Sequence, residues 1–171
     1  MEVEPGTYIV ANAGYLVLSA IDRKQTGPDG FAFLVCDGGM ELNTRPLLYG
    51  SRHPFYVVGT DGSLKSSELD TGALDPHRDL RVVVGRCCES GDSLSLDAEG
   101  HIVPRLMADA EVGEYLVVGG SGAYCSSMSP FQYNSHTQAP ELLLRSTGKL
   151  ELIRQPQTLE QLTANERPLA P

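Results

Sequence analysis

Four short clusters in this chain set a reactive or charged group among residues that shape the backbone around it. Cys88-Glu89-Ser90-Gly91-Asp92 follows directly on the apolar run Arg81–Cys87, so a thiol and a carboxylate stand at a strand-to-loop junction. A thiol so placed can deliver a proton, and a carboxylate can bind a cation. A buried cysteine beside a Ser-Gly-Asp turn is the ordinary alternative. Arg45-Pro46-Leu47-Leu48-Tyr49 sets a guanidinium and a phenol on one short segment ahead of Gly50. The guanidinium fork matches a carboxylate, and the phenol can add a third hydrogen bond. A surface ion pair with a packed tyrosine would use the same spacing. Gly119-Gly120-Ser121-Gly122-Ala123-Tyr124 can bring backbone N–H groups close to an anion, yet it lacks the lysine of a P-loop and does not match GxGxxG. Val3-Glu4-Pro5-Gly6 by itself reads as a turn.

The scaffold that must position these groups is β in texture from Phe31 onward. Phe31–Cys36, Phe55–Val58, Arg81–Cys87, Tyr115–Val118, Glu141–Arg145 and Lys149–Arg154 are short runs rich in Val, Leu, Tyr and Phe, bounded by Gly, Asp, Ser or Pro. Ser146-Thr147-Gly148 joins the last two as a hairpin connection. Short strands with long polar connections over 60–80 and 119–140 predict a small, closed or partly closed antiparallel barrel. Ahead of it, Ile9, Ala13, Leu16, Val17, Ala20 and Ile21 fall close to helical spacing. That spacing predicts a helix over about 8–21, fed by the Pro5-Gly6 turn and capped by Thr7. Near the end, Thr158 and Gln161 form a capping box, which predicts a short helix over about 158–165.

The 171 residues suit one domain with an appended helix. Hydrophobic residues make up 41% and charged residues 20%, the balance of a chain that folds. A net charge of -9 without any Lys/Arg cluster argues against nucleic acid as a partner. No apolar run reaches the roughly 20 residues of a membrane span, and no leader pattern is present, so no membrane role and a cytoplasmic setting are the expectation. Four cysteines without CxxC make neither a disulfide scaffold nor a zinc motif. His53, His77, His101 and His136 stand far apart, so no metal site is expected.

Taken in order, the clusters say more than each does alone. Glu4-Pro5-Gly6, then Asp37-Gly38-Gly39-Met40 with Arg45-Pro46-x-x-Tyr49-Gly50, then Cys88-Glu89-Ser90-Gly91-Asp92, then Gly122-Ala123-Tyr124 resemble the C-terminal half of the fold-type III pyridoxal-phosphate-dependent amino-acid decarboxylases. That family includes diaminopimelate, ornithine and arginine decarboxylases. The Cys-Glu-Ser-Gly-Asp and Arg-Pro-x-x-Tyr forms resemble the diaminopimelate branch, where the ornithine branch carries Cys-Asp. The resemblance runs from about residue 2 to about residue 166.

The resemblance implies a mainly β fold: a small antiparallel Greek-key-like barrel of the kind at the C-terminus of alanine racemases and these decarboxylases, with one N-terminal and one short C-terminal helix. Residues 1–23 would be the end of the last strand of an α/β barrel and its following helix, and residues 24–171 the β-barrel domain with its terminal helix. The α/β barrel would hold pyridoxal 5'-phosphate on a lysine outside this chain, and a homodimer would complete the site. Arg45 and Tyr49 would then hold the distal carboxylate of an amino-acid substrate and Glu89 its distal ammonium. Cys88 would be the catalytic proton donor at the partner subunit's cofactor, and Tyr124 would lie against the cofactor. The implied reaction is decarboxylation of meso-diaminopimelate to L-lysine. A chain opening at Val3-Glu4-Pro5-Gly6 reads as a piece cut from its barrel, and such a piece would be inactive alone. The family form is Glu-Pro-Gly-Arg, whereas Thr7 stands here, which leaves open a relative acting on another amino-acid precursor of a siderophore or antibiotic pathway. A self-standing β-barrel binding module and a thiol enzyme using Cys88 are the readings from other classes.

Overall fold

A computed structural model describes residues 1–70 and 78–169, so His77 and part of the 60–80 connection lie outside the described residues. The chain forms two compact units, Met1–Ser129 and Pro130–Pro171. In the first, strands β1 (Leu16–Gln25), β2 (Ala32–Cys36), β3 (Phe55–Val58), β4 (Leu64–Ser67), β5 (Arg78–Val84), β6 (Arg105–Ala108) and β7 (Tyr115–Val118) share one sheet. Its order is β4-β3-β7-β1-β2-β5-β6. Every neighbouring pair is antiparallel except β2 with β5, which run parallel with Phe33 opposite Val82 and Val35 opposite Val84. Three helices of about one turn are set into the connections: α1 (Thr7–Val10), α2 (Arg45–Tyr49) and α3 (Cys125–Met128).

The inner face is a continuous apolar core that includes Leu18, Leu34, Phe55, Val83, Met107 and Leu116. The two edge strands nearly meet, and the gap between them is closed by side chains. Ala108 N–H donates to Ser66 Oγ at 2.9 Å. Arg105, only 4% exposed, lies with its guanidinium 4.3 Å over the Phe55 ring and pairs with Glu68 through Nε to Oε1 at 2.7 Å and through Nη2 to Oε2. The other Arg105 contact goes to the His53 carbonyl at 2.8 Å, while Glu68 Oε2 accepts Phe55 N–H at 2.8 Å. One buried ion pair thus fixes both edges of the sheet and the start of β3.

The mainly β fold and the strands Phe55–Val58 and Tyr115–Val118 match the sequence reading, and the barrel is nearly closed. The helix expected over 8–21 does not form. Helical turns occupy only residues 7–13, Gly6 rather than Thr7 is the N-cap, and from Leu16 the chain is strand. The reason lies in the outer face of the sheet. Leu18 and Ala20 point into the core, but the residues alternating with them include Val17, 60% exposed, and Ile21. With apolar residues on both faces the polarity no longer alternates, and the remaining spacing looks helical. The same outer face continues across β7 and β3, where Val17 pairs with Val117 and Val117 with Tyr56, next to Tyr115 and Val58. An apolar strip of this kind is unusual on a sheet exterior left to solvent.

The second unit holds a hairpin of β8 (Glu141–Leu144) and β9 (Leu150–Arg154), with Gly148 at φ 82 in its turn as the sequence required. Helix α4 (Leu159–Leu162) follows, and its capping box is present: Thr158 Oγ1 accepts Gln161 N–H and Gln161 Oε1 accepts Thr158 N–H.

Removing one partner of a buried pair strands the other charge, at a cost of about 3–5 kcal/mol. Glu68→Ala should therefore lower the unfolding free energy measured by urea titration by that amount, and a Glu68→Leu/Arg105→Met double substitution should recover most of it. A loss well under about 1 kcal/mol, the range of exposed pairs, would mean the seam is not held by this contact.

Candidate active-site face

The segment that carries Arg45 is positioned from both ends. Asn43 Oδ1 accepts Arg45 N–H at 3.2 Å, Pro46 sits in the first turn of α2, and Gly50 ends the helix at φ 59, in the left-handed region that favours glycine. Arg45 is half-buried, and its guanidinium stands 5.2 Å from the Tyr49 ring centroid and 5.6 Å from that of Tyr124. Its one side-chain hydrogen bond is a long contact from Nη1 to Met128 Sδ, 3.9 Å, and no carboxylate among the described residues pairs with it. Among the described residues, the surface ion pair that would have been the ordinary use of this arginine is not formed. The cation is instead held between two phenol rings that are 55% and 50% exposed, with its hydrogen-bonding fork unspent.

Tyr124 reaches this position from the end of the glycine-rich loop. It sits at φ 62, a left-handed conformation, as the N-cap of α3. The loop packs backbone against backbone on the segment after α1: Ser121 N–H donates to Gly14 O and Gly122 N–H to Ala11 O, each at 2.9 Å. A Cβ on Gly122 would lie 2.0 Å from Val10 O, and one on Gly14 would lie 2.4 Å from Gly122 Cα. Glycine is required at both places. At the other end a Cβ on Gly6 would fall 2.5 Å from the Tyr124 hydroxyl, so the Glu4-Pro5-Gly6 turn is the bed on which that ring rests. Three of the four sequence clusters therefore converge on Arg45 and Tyr124.

The fourth is brought alongside by Asp92. The strand before it ends at Val84, so Cys87 lies in the turn with Cys88 and not at the end of the strand, where the sequence reading had it. Asp92 is buried. Its Oδ2 accepts Cys87 N–H and its Oδ1 accepts Met40 N–H, both at 2.7 Å, stitching this turn to the segment leading into α2. Gly39 and Gly85 leave room for that carboxylate. Burial pushes the Asp92 carboxyl up, and the two N–H donors oppose the shift. Glu41, also buried, accepts Gly39 N–H at 2.9 Å, Arg86 Nε at 3.1 Å and the Cys87 thiol at 3.5 Å. Glu41, Cys87 and Asp92 lie close enough to hold an ion, but their lone pairs serve the backbone and Arg86. The result is that Cys87 points inward and is pushed up to about 12, first by burial and then by Glu41 and Asp92. Cys88 is exposed, as is Glu89, whose Oε1 accepts Ser90 Oγ–H and Gly91 N–H. Leu47 of α2 packs on Gly91, which sets the turn against the arginine helix.

Asp92, Glu41 and His53 are the organising residues that the sequence did not single out. Asp92 was legible only as part of a turn, and His53 had no spacing partner to mark it.

The likeness of this chain to known proteins is consistent along its length. Residues 7–122 match the family described as pyridoxal-dependent decarboxylase, C-terminal sheet domain. The diaminopimelate decarboxylase of Escherichia coli K12 is 36% identical over 168 residues, covering 97% of this chain and 37% of that protein. The diaminopimelate decarboxylase of Streptomyces coelicolor is 35% identical over 166 residues, covering 97% and 35%. Among solved structures, a diaminopimelate decarboxylase superposes with a TM-score of 0.81 at 35% identity over 94% of this chain and 35% of that one. The Helicobacter pylori diaminopimelate decarboxylase, complexed with L-lysine, gives 0.73 at 30% identity over 94% and 34%. The chain thus spans little more than a third of the length of these relatives. The match over residues 7–122, the sheet order and the convergence of the four clusters lead to one conclusion: this chain belongs to the pyridoxal-dependent decarboxylases and carries their C-terminal sheet domain.

Proposed function

We propose that this domain supplies the substrate clamp and the proton donor of a diaminopimelate decarboxylase, which converts meso-diaminopimelate to L-lysine and carbon dioxide in the cytoplasm. The observation that carries this reading is the Arg45 guanidinium, held between Tyr49 and Tyr124 with no carboxylate partner among the described residues. Such a cation is organised to receive a carboxylate from outside the chain. The apolar outer face of β1, β7 and β3 is where an N-terminal α/β barrel would pack, and a homodimer would bring the Arg45–Tyr124 cluster and Cys88 to the partner's cofactor.

Pyridoxal phosphate fits the residues present. The Tyr124 ring is half-exposed beside a cation and rests on Gly6, a planar surface that a flat anionic ring can meet. When bound, the cofactor stores the electron pair that remains at Cα as carbon dioxide departs. This chain's own residues then have separate tasks. Arg45 and Tyr49 bind the distal carboxylate and Glu89 the distal ammonium, which fixes the far end of the substrate and hence the direction of its Cα. Cys88, exposed at the turn that Asp92 holds, delivers a proton to Cα. Cys87 is kept out of this role by its inward direction and its raised pKa. Thr7, on the exposed first turn of α1, offers no charge to the distal carboxylate, so Arg45, with Tyr49 beside it, supplies the positive charge of that contact.

Joined to an α/β barrel domain and supplied with pyridoxal phosphate, the domain should support carbon dioxide release from meso-diaminopimelate. Cys88→Ala should then lower kcat by roughly 100-fold or more, the usual worth of a positioned acid, with Cys87→Ala far milder. Arg45→Lys should raise KM by roughly 10-fold or more through loss of the bidentate fork. Turnover of another amino acid with none of diaminopimelate would assign the alternative substrate that Thr7 leaves open.

The thiol assignment can be checked on the chain alone. Iodoacetamide should label the exposed Cys88 well before the less accessible Cys87, Cys36 or Cys125. Burial raises the pKa of each of these three, those of Cys36 and Cys87 to about 12. Peptide mapping that finds Cys87 labelled first would reverse the assignment.

A further inference from the structure

His53 lies where the two halves of the arginine–tyrosine cluster are joined. It follows α2 in the chain, precedes β3, and is 7% exposed. Its Nδ1 stands 3.0 Å from the Gly119 carbonyl, and its Nε2 is buried with no hydrogen-bond partner among the described residues. A carbonyl can only accept, so Nδ1 carries a proton, and in the neutral ring Nε2 then holds the lone pair. Gly119 is gripped a second time by the next residue, since its N–H donates to Pro54 O at 2.9 Å. The backbone of His53 is itself fixed by Arg105 Nη2 on its carbonyl at 2.8 Å. A chain of direct contacts therefore runs from the Glu68–Arg105 pair through His53 to Gly119, where the loop that ends in Tyr124 leaves β7.

We propose that His53 is a positioning residue: as a neutral ring protonated on Nδ1, it locks the start of the Gly119–Tyr124 loop and so sets the Tyr124 ring against Arg45. The relevance to catalysis rests on the decarboxylase reading, but the positioning itself does not. Far along the same loop, Ser121 and Gly122 are held by Gly14 and Ala11. Without His53 the Gly119 carbonyl loses its ring donor, and the start of the loop rests on the Gly119 N–H bond to Pro54 O and the Ser121 hydroxyl contacts to Val118 and Gly119.

Charge explains why the ring must be neutral. The groups facing it are Arg45 from α2, Arg105 from β6, itself paired to Glu68, and the carbonyls of Gly119 and Gly120 after β7. Burial depresses the His53 pKa most, the carbonyl of Gly119 opposes it, and Arg45 and Arg105 add to the depression. A second proton would go to Nε2, which is buried without an acceptor and near two guanidiniums. The folded state takes that proton less readily than the unfolded chain, so the neutral ring's contribution to stability is whole above a pH of about 6.5, the ordinary histidine value, and is lost as pH falls through the lower value of the folded ring.

The test uses the 171-residue chain without cofactor. In ring-15N NMR of histidine-labelled protein, His53 should show a protonated Nδ1 and an unprotonated Nε2. Its titration midpoint should lie below that of a free histidine. The second arm compares His53→Asn, whose amide can reach the Gly119 carbonyl as Nδ1 does, with His53→Gln, whose amide falls at the Nε2 position. Cross-relaxation between the Tyr124 ring and the Arg45 side chain should persist in the Asn variant and weaken by several-fold in the Gln variant, with the β3–β7 amide pairing intact in both. Protonation on Nε2 in the wild type, or equal behaviour of the two variants, would overturn the proposal. If the Gln variant fails to fold, the tautomer and titration of the wild-type ring still decide the matter. Neither arm involves substrate or turnover, so the decarboxylase reading can fail without touching this result, and the reverse.

Discussion

A guanidinium that is almost wholly buried must have its charge answered nearby, and in this domain the answer is Glu68. The pair sits where the two edges of the sheet approach each other, and its spare hydrogen-bonding capacity is spent on the backbone of His53 and Phe55. Desolvating two charges is costly, and a hydrophobic pair of similar volume could be as stable. What the ion pair adds is direction. Five fixed donors and a carboxylate can hold specific backbone groups at specific places, which leucine and methionine cannot. The start of β3, and through it the connection from α2 and the corner after β7, takes its position from that geometry.

The same division of labour recurs at Asp92. A buried carboxylate accepts two backbone N–H groups from segments remote in sequence, and the exposed residues beside it become the ones available for chemistry. Neighbouring thiols then have opposite characters. Cys87 faces two carboxylates and stays protonated, whereas Cys88 faces outward. The difference arises from which side chain turns toward Asp92 and Glu41, and strand alternation has no part in it.

How much of this was legible in the sequence follows from what each signal encodes. Phe55–Val58 and Tyr115–Val118 were found because short apolar runs between turn residues have few other uses. The chemically rich clusters were found because their residue types are unusual in combination. Three strands were not found, and each has a physical reason. β1 carries apolar residues on both faces, so it imitates a helix. β4, Leu-Lys-Ser-Ser, buries its serines, with Ser66 bonded to the facing strand. β6 inverts the expected pattern, with Arg105 inside and Leu106 outside, because Glu68 makes the buried arginine tolerable. In each case a partner distant in sequence overrides the local pattern. His53 was invisible for the same reason: its meaning lies in a carbonyl 66 residues away.

Tyr124 holds a backbone conformation that glycine, or to a lesser degree asparagine, would adopt at lower cost. For an L-residue with a bulky side chain the penalty is on the order of 1–2 kcal/mol. A lineage evolving under demand for stability alone would tend to lose the ring at this position and keep the turn. A lineage that must present an aromatic surface beside Arg45 is obliged to carry the strain, and the surrounding contacts to Gly6, Gly14 and Gly119 are the means by which it is carried. The strain at Tyr124 is thus the cost of setting an aromatic surface beside Arg45.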